Sequence, residues 1–153
     1  MIKNIKKPII KIRHIGLVVE NIKKSIKVWE GCFGFKIISF KTESGKSLDK
    51  LMSLKNVKVI TCKLKDENSN VIELLQYKNP LSKKNSLRLL NPNSLGLTHI
   101  ALTVKDIDIT IKNLKKYKFK IFSESIYSED KLVKYAYAKS NDGIYIEIVE
   151  DKK

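Results

Sequence analysis

The fold is decided by a segment that occurs twice in the chain. The first copy reads Arg13-His14-Ile15-Gly16-Leu17-Val18-Val19-Glu20-Asn21-Ile22, and the second reads Thr98-His99-Ile100-Ala101-Leu102-Thr103-Val104-Lys105-Asp106-Ile107. Each copy has the pattern of a β-strand followed by Asn21 or Asp106, residue types whose side-chain oxygens cap the first turn of a helix. Apolar residues at helical spacing follow each cap. The repeat therefore predicts two copies of one structural module.

The two copies also match at their ends. Glu73 and Glu147 occupy equivalent positions late in their copies, each within the apolar alternation of a strand. Each copy is therefore predicted to form a strand, a helix and three strands, a βαβββ module. The first module spans about residues 10–78 and the second about residues 96–150, with a linker at 79–95 that is rich in Asn, Pro, Ser and Lys. The first module has extra residues around 42–56, where apolar spacing predicts a short helix.

The predicted fold class is α+β. Two tandem βαβββ modules form a curved, mostly antiparallel mixed sheet, and residues 1–153 make a single domain. The concave face of this sheet is the predicted location of a functional site.

Both histidines of the chain, His14 and His99, fall at the same position of the repeat. Side chains alternate across a strand, and the aliphatic face of each first strand must pack on the helices. The histidines therefore point to the opposite face. The same alternation sends Glu73 and Glu147 away from their aliphatic neighbours, so all four side chains can converge on the concave face.

Two neutral imidazoles and two carboxylates are sufficient ligands for a divalent cation and leave positions open for water or substrate. A single histidine on a strand is more often a hydrogen-bonded, half-buried residue, and a single glutamate is usually solvated. Four such residues at repeat-equivalent positions favour metal binding. The two cysteines, Cys32 and Cys62, are interpreted as small hydrophobic residues.

The composition restricts the partners and the compartment. The net charge is +15, yet only two of the 31 cationic residues are arginine, and the lysines are spread over the whole chain. Nucleic-acid readers favour arginine, so we expect a solvated lysine surface and no nucleic-acid partner; affinity for acidic ligands or nucleic acid is the alternative. No apolar run approaches the ~20 residues of a membrane span, and residues 1–14 lack the apolar core of a signal peptide. With two cysteines, the expectation is a cytoplasmic protein without a membrane partner.

The paired modules, with His14 and His99 on the first strands and Glu73 and Glu147 on the last, resemble the vicinal oxygen chelate superfamily. Its members include glyoxalase I, methylmalonyl-CoA epimerase, extradiol dioxygenases, and the fosfomycin and bleomycin resistance proteins. The resemblance covers about residues 11–150. It implies that the sheet curls around a metal and that the protein is a homodimer, while pairing of the two modules within one chain or between chains stays open.

The ligand set narrows the implied reaction. A His-Glu-His-Glu set is similar to that of glyoxalase I, whereas the epimerase typically has Gln at the position of Glu73. The dioxygenases and fosfomycin transferases typically use two histidines and one carboxylate. The resemblance thus implies a metal-dependent lyase or isomerase that transfers a proton on a small carbonyl substrate through a metal-stabilised enediolate. By the same resemblance, Glu73 and Glu147 are both metal ligands and the candidate catalytic bases.

Two alternatives remain: a coenzyme-A-ester epimerase, and a non-catalytic small-molecule binding or antibiotic resistance protein of the same fold. The implied cofactor is a divalent metal ion, with Zn or Ni favoured and Co, Mn or Fe possible. The predicted substrate-binding residues are Thr103, Tyr135, Tyr145 and Met52. Further candidates for the concave face are Thr61, Lys63, Gln76 and Tyr137.

Overall fold

The structure is a computed structural model and describes residues 12–82, 93, 96–97 and 99–152. The first module consists of β1 (Ile15–Val18), α1 (Ile22–Phe33), β2 (Lys36–Ser44), α2 (Lys46–Met52), β3 (Lys58–Lys65) and β4 (Val71–Asn79). The second consists of β5 (His99–Thr103), α3 (Ile107–Lys116), β6 (Lys120–Ile121), β7 (Ile126–Tyr127), β8 (Val133–Lys139) and β9 (Tyr145–Asp151). Most of the predicted linker at 79–95 lies outside the described residues.

Each module forms its own mixed sheet. The first sheet has the strand order β1-β4-β3-β2, and the second has the order β5-β9-β8-β6 with β7 also paired to β8. In both sheets the first strand is parallel to the last, and the other pairs are antiparallel. The α+β class and the βαβββ modules are confirmed. The sheet takes the form of two separate sheets, and the second strand of module two is divided into two short pieces, β6 and β7.

The predicted caps begin both long helices. The Asn21 side chain accepts a hydrogen bond from the Lys24 N–H at 3.0 Å, and the Asp106 side chain accepts one from the Ile109 N–H at 2.8 Å. Gly34 ends α1 with φ of 71°, a left-handed conformation that a residue with a Cβ adopts only at a cost. These local signals fix where each helix starts and where α1 stops.

The hydrophobic core lies on the helix side of the two sheets and joins both modules. It combines Ile22 and Trp29 of α1 with Ile107 and Leu114 of α3, together with the buried residues of the strands. Helices α1 and α3 also contact each other. The modules meet through their helices. The other face of each sheet, here called the open face, is therefore not covered by the other module.

The short helix predicted in the first module is confirmed as α2. The Asp49 carboxylate accepts hydrogen bonds from the N–H groups of Asn56 and Val57, at 3.0 and 2.7 Å, which fixes the loop that follows α2. At the end of α2, the Met52 sulfur accepts a hydrogen bond from the Tyr77 hydroxyl at 3.4 Å. Among the described residues, no helix is both long and apolar enough to span a lipid bilayer.

Candidate functional site

The first site consists of His14 and Glu73 on neighbouring parallel strands. Gly16 of β1 lies opposite Glu73 of β4, which places the histidine two residues earlier beside the carboxylate. His14 Nε2 lies 3.0 Å from Glu73 Oε2, and the two side chains are 29% and 15% exposed. On the other side of Glu73, Lys63 of β3 is its register partner and places its ammonium nitrogen 3.5 Å from Oε1.

The second site repeats this arrangement with His99 and Glu147. Ala101 of β5 lies opposite Glu147 of β9, and His99 Nε2 lies 3.3 Å from Glu147 Oε2. The two side chains are 36% and 25% exposed. The sequence repeat therefore produces two equivalent His–Glu pairs, each on the open face of its own sheet.

The residue that lies opposite the glutamate of each pair, on the neighbouring antiparallel strand, differs between the modules. Tyr137 of β8 occupies the position opposite Glu147 that Lys63 occupies opposite Glu73. Its ring packs edge-on against His99, with ring centroids 5.3 Å apart, and its hydroxyl hydrogen-bonds to Glu147. Burial raises the pKa of Tyr137, and the charge of Glu147 raises it further. One carboxylate thus faces an ammonium group and the other a neutral phenol.

The two pairs do not meet within one chain. Over the described ranges, no three His, Cys, Asp or Glu side chains come close enough together to hold a metal ion. His14 and Glu73 belong to the first sheet, and His99 and Glu147 belong to the second. The structure therefore brings together each histidine with its glutamate, but not all four residues.

Each pair has the spacing of two ligands of one cation. For metal–ligand bonds of about 2.1 Å and angles between 90° and 109°, neighbouring donor atoms are roughly 3.0 to 3.4 Å apart. The observed separations of 3.0 and 3.3 Å lie in this range. Imidazole nitrogen and carboxylate oxygen also suit divalent zinc, nickel, cobalt, manganese and iron. The residues present fit a divalent cation, with two donors contributed by each pair.

The predicted substrate-binding residues occupy different surroundings. Thr103 and Tyr135 lie on the open face of the second sheet, both opposite Val149. Tyr145 is on the same face but only 5% exposed, because its ring stacks on Phe122 at 5.6 Å. Met52 contacts Tyr77, which follows Glu73 on the same face of β4. Phe122 was not expected from the sequence, because it follows β6 outside any regular strand.

Two of the other candidates, Thr61 and Gln76, have partners of their own. The Thr61 hydroxyl donates to the Glu43 carboxylate at 2.9 Å. Gln76 lies on the helix side of β4, where it accepts from the Ile22 N–H at 3.3 Å and donates to the Glu20 carbonyl at 2.8 Å. Gln76 therefore fastens β4 to the start of α1 and does not belong to the open face, contrary to the expectation.

The cysteines behave as apolar residues. Cys62 is fully buried, and burial together with the nearby charge of Glu30 raises its pKa to about 11. Burial also raises the pKa of Cys32. A raised pKa disfavours the thiolate that nucleophilic or metal-binding cysteines require, which agrees with the interpretation of both as small hydrophobic residues.

Comparison with known proteins identifies relatives of the fold. Residues 13–150 match the family model described as Glyoxalase/Bleomycin resistance protein/Dioxygenase superfamily. A search of curated proteins finds no match. A glyoxalase family protein from Bacillus cereus superimposes with a TM-score of 0.87 at 21% identity, covering 100% of this chain and 99% of that chain. The trypanothione-dependent glyoxalase I of Leishmania major gives 0.60 at 21% identity, covering 92% of this chain and 86% of that one.

A fosfomycin resistance protein is also similar in fold. FosX from Listeria monocytogenes, solved with Mn(II) and sulfate, superimposes with a TM-score of 0.61 at 15% identity, and 94% of each chain is covered. At these identities the likeness establishes the fold, while the chemistry depends on the residues of this chain.

Proposed function

Since the chain belongs to the Glyoxalase/Bleomycin resistance protein/Dioxygenase superfamily, we propose that it is a metal-dependent lyase or isomerase of the glyoxalase-like group. It moves a proton on a small carbonyl substrate. The observation that carries the proposal is the pair of equivalent His–Glu contacts, His14 with Glu73 and His99 with Glu147, on the open faces of the two sheets. Two carboxylates and two imidazoles balance the charge of a divalent cation and leave positions open for substrate.

The complete site requires two copies of the chain. One protomer supplies His14 and Glu73, and the partner subunit supplies its own second-module pair. The arrangement of the modules supports this composite site, because they meet through α1 and α3 and neither module covers the open face of the other. Val18, Ala101 and Thr103, which share these faces with the histidines, are exposed in the single chain. A symmetric dimer in which unlike modules face each other contains two identical sites.

The residues of the site have distinct roles in this proposal. A bound divalent cation would act as a Lewis acid and stabilise negative charge on the substrate oxygen. Glu147 or Glu73 removes the proton from the adjacent carbon and returns it to the same or the neighbouring carbon. Tyr137 orients His99 and Glu147 through its ring contact and its hydroxyl. Lys63 holds Glu73 from the side opposite His14.

Metal analysis followed by an activity assay tests this function. The purified protein is analysed for bound transition metals and assayed as a lyase with methylglyoxal and several thiols. We expect a divalent metal bound at one ion per chain, turnover of the hemithioacetal, and loss of both in His14→Ala. Lys23→Ala, an exposed change on α1, is the matched control and keeps both. The proposal fails if the purified protein retains no metal and His14→Ala has the same metal content and turnover as the wild type.

A further inference from the structure

A cavity lies on the helix side of the molecule, between the two modules. This intermodule groove is bounded by α1, by the segment at the end of α3, and by the turn between β8 and β9, and its volume is about 640 Å³. Small-molecule sites in proteins typically occupy about 300–1,000 Å³. The groove is therefore large enough for a small organic ligand.

The groove is separate from the His–Glu pairs. Ile146 of β9 lines it, and the next residue, Glu147, belongs to the opposite face of the same strand. Val19, which follows β1, also lines the groove, while His14 contacts Glu73 on the open face. A ligand in the groove leaves the candidate metal ligands untouched.

The floor of the groove is apolar and fixed in place. Trp29 is 4% exposed, and its ring contacts Phe33 at 5.1 Å and Phe35 at 5.2 Å between ring centroids. Val28 and Ile146 are also buried beside it. Two aromatic neighbours already restrain the indole of Trp29. Binding of a flat apolar group therefore does not cost side-chain entropy at this residue.

The rim of the groove is cationic. It carries four lysines, two from α1 and two from the end of α3: Lys24, Lys27, Lys116 and Lys118. In the part of the chain that the structure describes, none of these four ammonium groups forms an ion pair with a carboxylate. Two acidic residues also line the groove, and one of them, Asp142, accepts a hydrogen bond from the Glu20 N–H at 2.9 Å.

From this combination we propose that the intermodule groove binds an organic anion with a flat apolar body. The apolar body lies over the floor formed by Trp29 and Ile146, and the acidic group faces the lysines of the rim. Lysine acts as a mobile point charge toward carboxylate, sulfonate or phosphate, so the site selects for charge and an apolar body more than for one acid group. Four cations against two carboxylates leave the groove positive.

The fluorescence of Trp29 gives a direct test, because it is the only tryptophan of the chain. The protein is titrated with 4-methylbenzenesulfonate, and with neutral 4-methylbenzyl alcohol in parallel, because neither probe emits in the range of tryptophan. We expect a saturable change in Trp29 emission with the sulfonate and binding at least about tenfold weaker with the alcohol, because the lysines add attraction only for the anion.

Charge-reversal variants locate the binding. The double variant Lys24→Glu, Lys116→Glu is expected to weaken sulfonate binding by about tenfold or more. The matched double variant Lys23→Glu, Lys112→Glu changes the same charge on the same helices outside the groove, and it is expected to stay within about twofold. The proposal is overturned if the sulfonate gives no saturable change, if the alcohol binds as tightly, or if both double variants lose affinity equally. Metal content is unaffected in either case, so this test is independent of the proposed function.

Discussion

Nε2 of His14 lies 3.0 Å from Oε2 of Glu73 on the neighbouring parallel strand. His99 and Glu147 have the same relation in the second module, at 3.3 Å. In both cases a small residue, Gly16 or Ala101, lies opposite the glutamate and leaves the histidine beside it. One backbone geometry, used twice, therefore sets both halves of the candidate metal site.

Replacing Tyr137 by Phe removes the hydroxyl that bonds Glu147 and keeps the ring that packs on His99. Replacing a residue that orients a metal ligand typically lowers the metal affinity by about 10- to 100-fold. We expect a loss near the lower end of that range, since the ring contact remains, with little change in the unfolding free energy. Calorimetric metal titration of the apoprotein measures the loss. Tyr135→Phe, on the same strand and face but opposite Val149, is the control; equal affinities for the two variants would contradict a positioning role for Tyr137.

Replacing Glu73 by Gln separates the two enzyme candidates. The glyoxalase-like function needs both carboxylates, so we expect proton transfer to slow by about 100-fold or more. A coenzyme-A-ester epimerase, which typically has Gln at this position, would tolerate the change. Exchange of the substrate carbon-bound proton for deuterium, followed by NMR, measures the rate. In the same assay Glu147→Gln should abolish exchange, and an unchanged rate in that variant would remove Glu147 from the mechanism.

Two glycine replacements should have opposite effects on stability. A Cβ on Gly16 would lie 3.4 Å from a methyl group of Leu75, an ordinary contact, so Gly16→Ala should be neutral or stabilise by up to ~1 kcal/mol. Gly34 has φ of +71°, so Gly34→Ala should destabilise by about 1–2 kcal/mol through backbone strain alone. Urea unfolding of the two variants measures both values, and a larger loss for Gly16→Ala than for Gly34→Ala would contradict the space available beside Leu75.

The stability contributed by Asp142 should depend on pH. Its pKa is raised above the ordinary 3.8, mainly by burial, while the hydrogen bond from Glu20 acts in the opposite direction. An acid with a raised folded pKa stabilises the fold fully below its unfolded pKa, and this stabilisation is lost as pH rises through the folded value. Asp142→Asn keeps an acceptor for Glu20 and does not ionise. We therefore expect the free energy of unfolding of the variant, relative to that of the wild type, to increase between pH 3 and pH 7. Urea unfolding measures this difference, and a difference that stays constant with pH would exclude the raised pKa of Asp142.

The repeat predicted the modules and the shared face of each histidine and its glutamate, because strand alternation and caps are local properties of the sequence. The separation of the pairs was not predictable, since it depends on the packing of α1 against α3, which involves tertiary contacts between modules. The small Gly31 is part of that packing, because a Cβ there would lie 2.7 Å from the Tyr117 hydroxyl oxygen. No sequence period indicates such a contact.

Two side chains predicted on the concave face, Tyr145 and Gln76, are not exposed there, each for its own reason. Tyr145 has the expected parity but is covered by Phe122, a tertiary contact made by an irregular segment. Gln76 shares the parity of Ile72 and Leu74, so strict alternation along β4 excludes it from the open face. The burial of Tyr145 depends on a tertiary contact that the sequence does not indicate. The position of Gln76, by contrast, follows from the alternation of residues along the strand.

The most direct test of the central claim is complementation between two inactive chains. His14→Ala and His99→Ala each damage both sites of a dimer in which unlike modules of two protomers face each other. After the variants are mixed and their subunits exchange, each heterodimer has one undamaged site, so about a quarter of the wild-type metal content and activity should return. If each chain built its own site, every site in the mixture would still lack one histidine. A mixture that binds no more metal than either variant alone would therefore contradict the composite site.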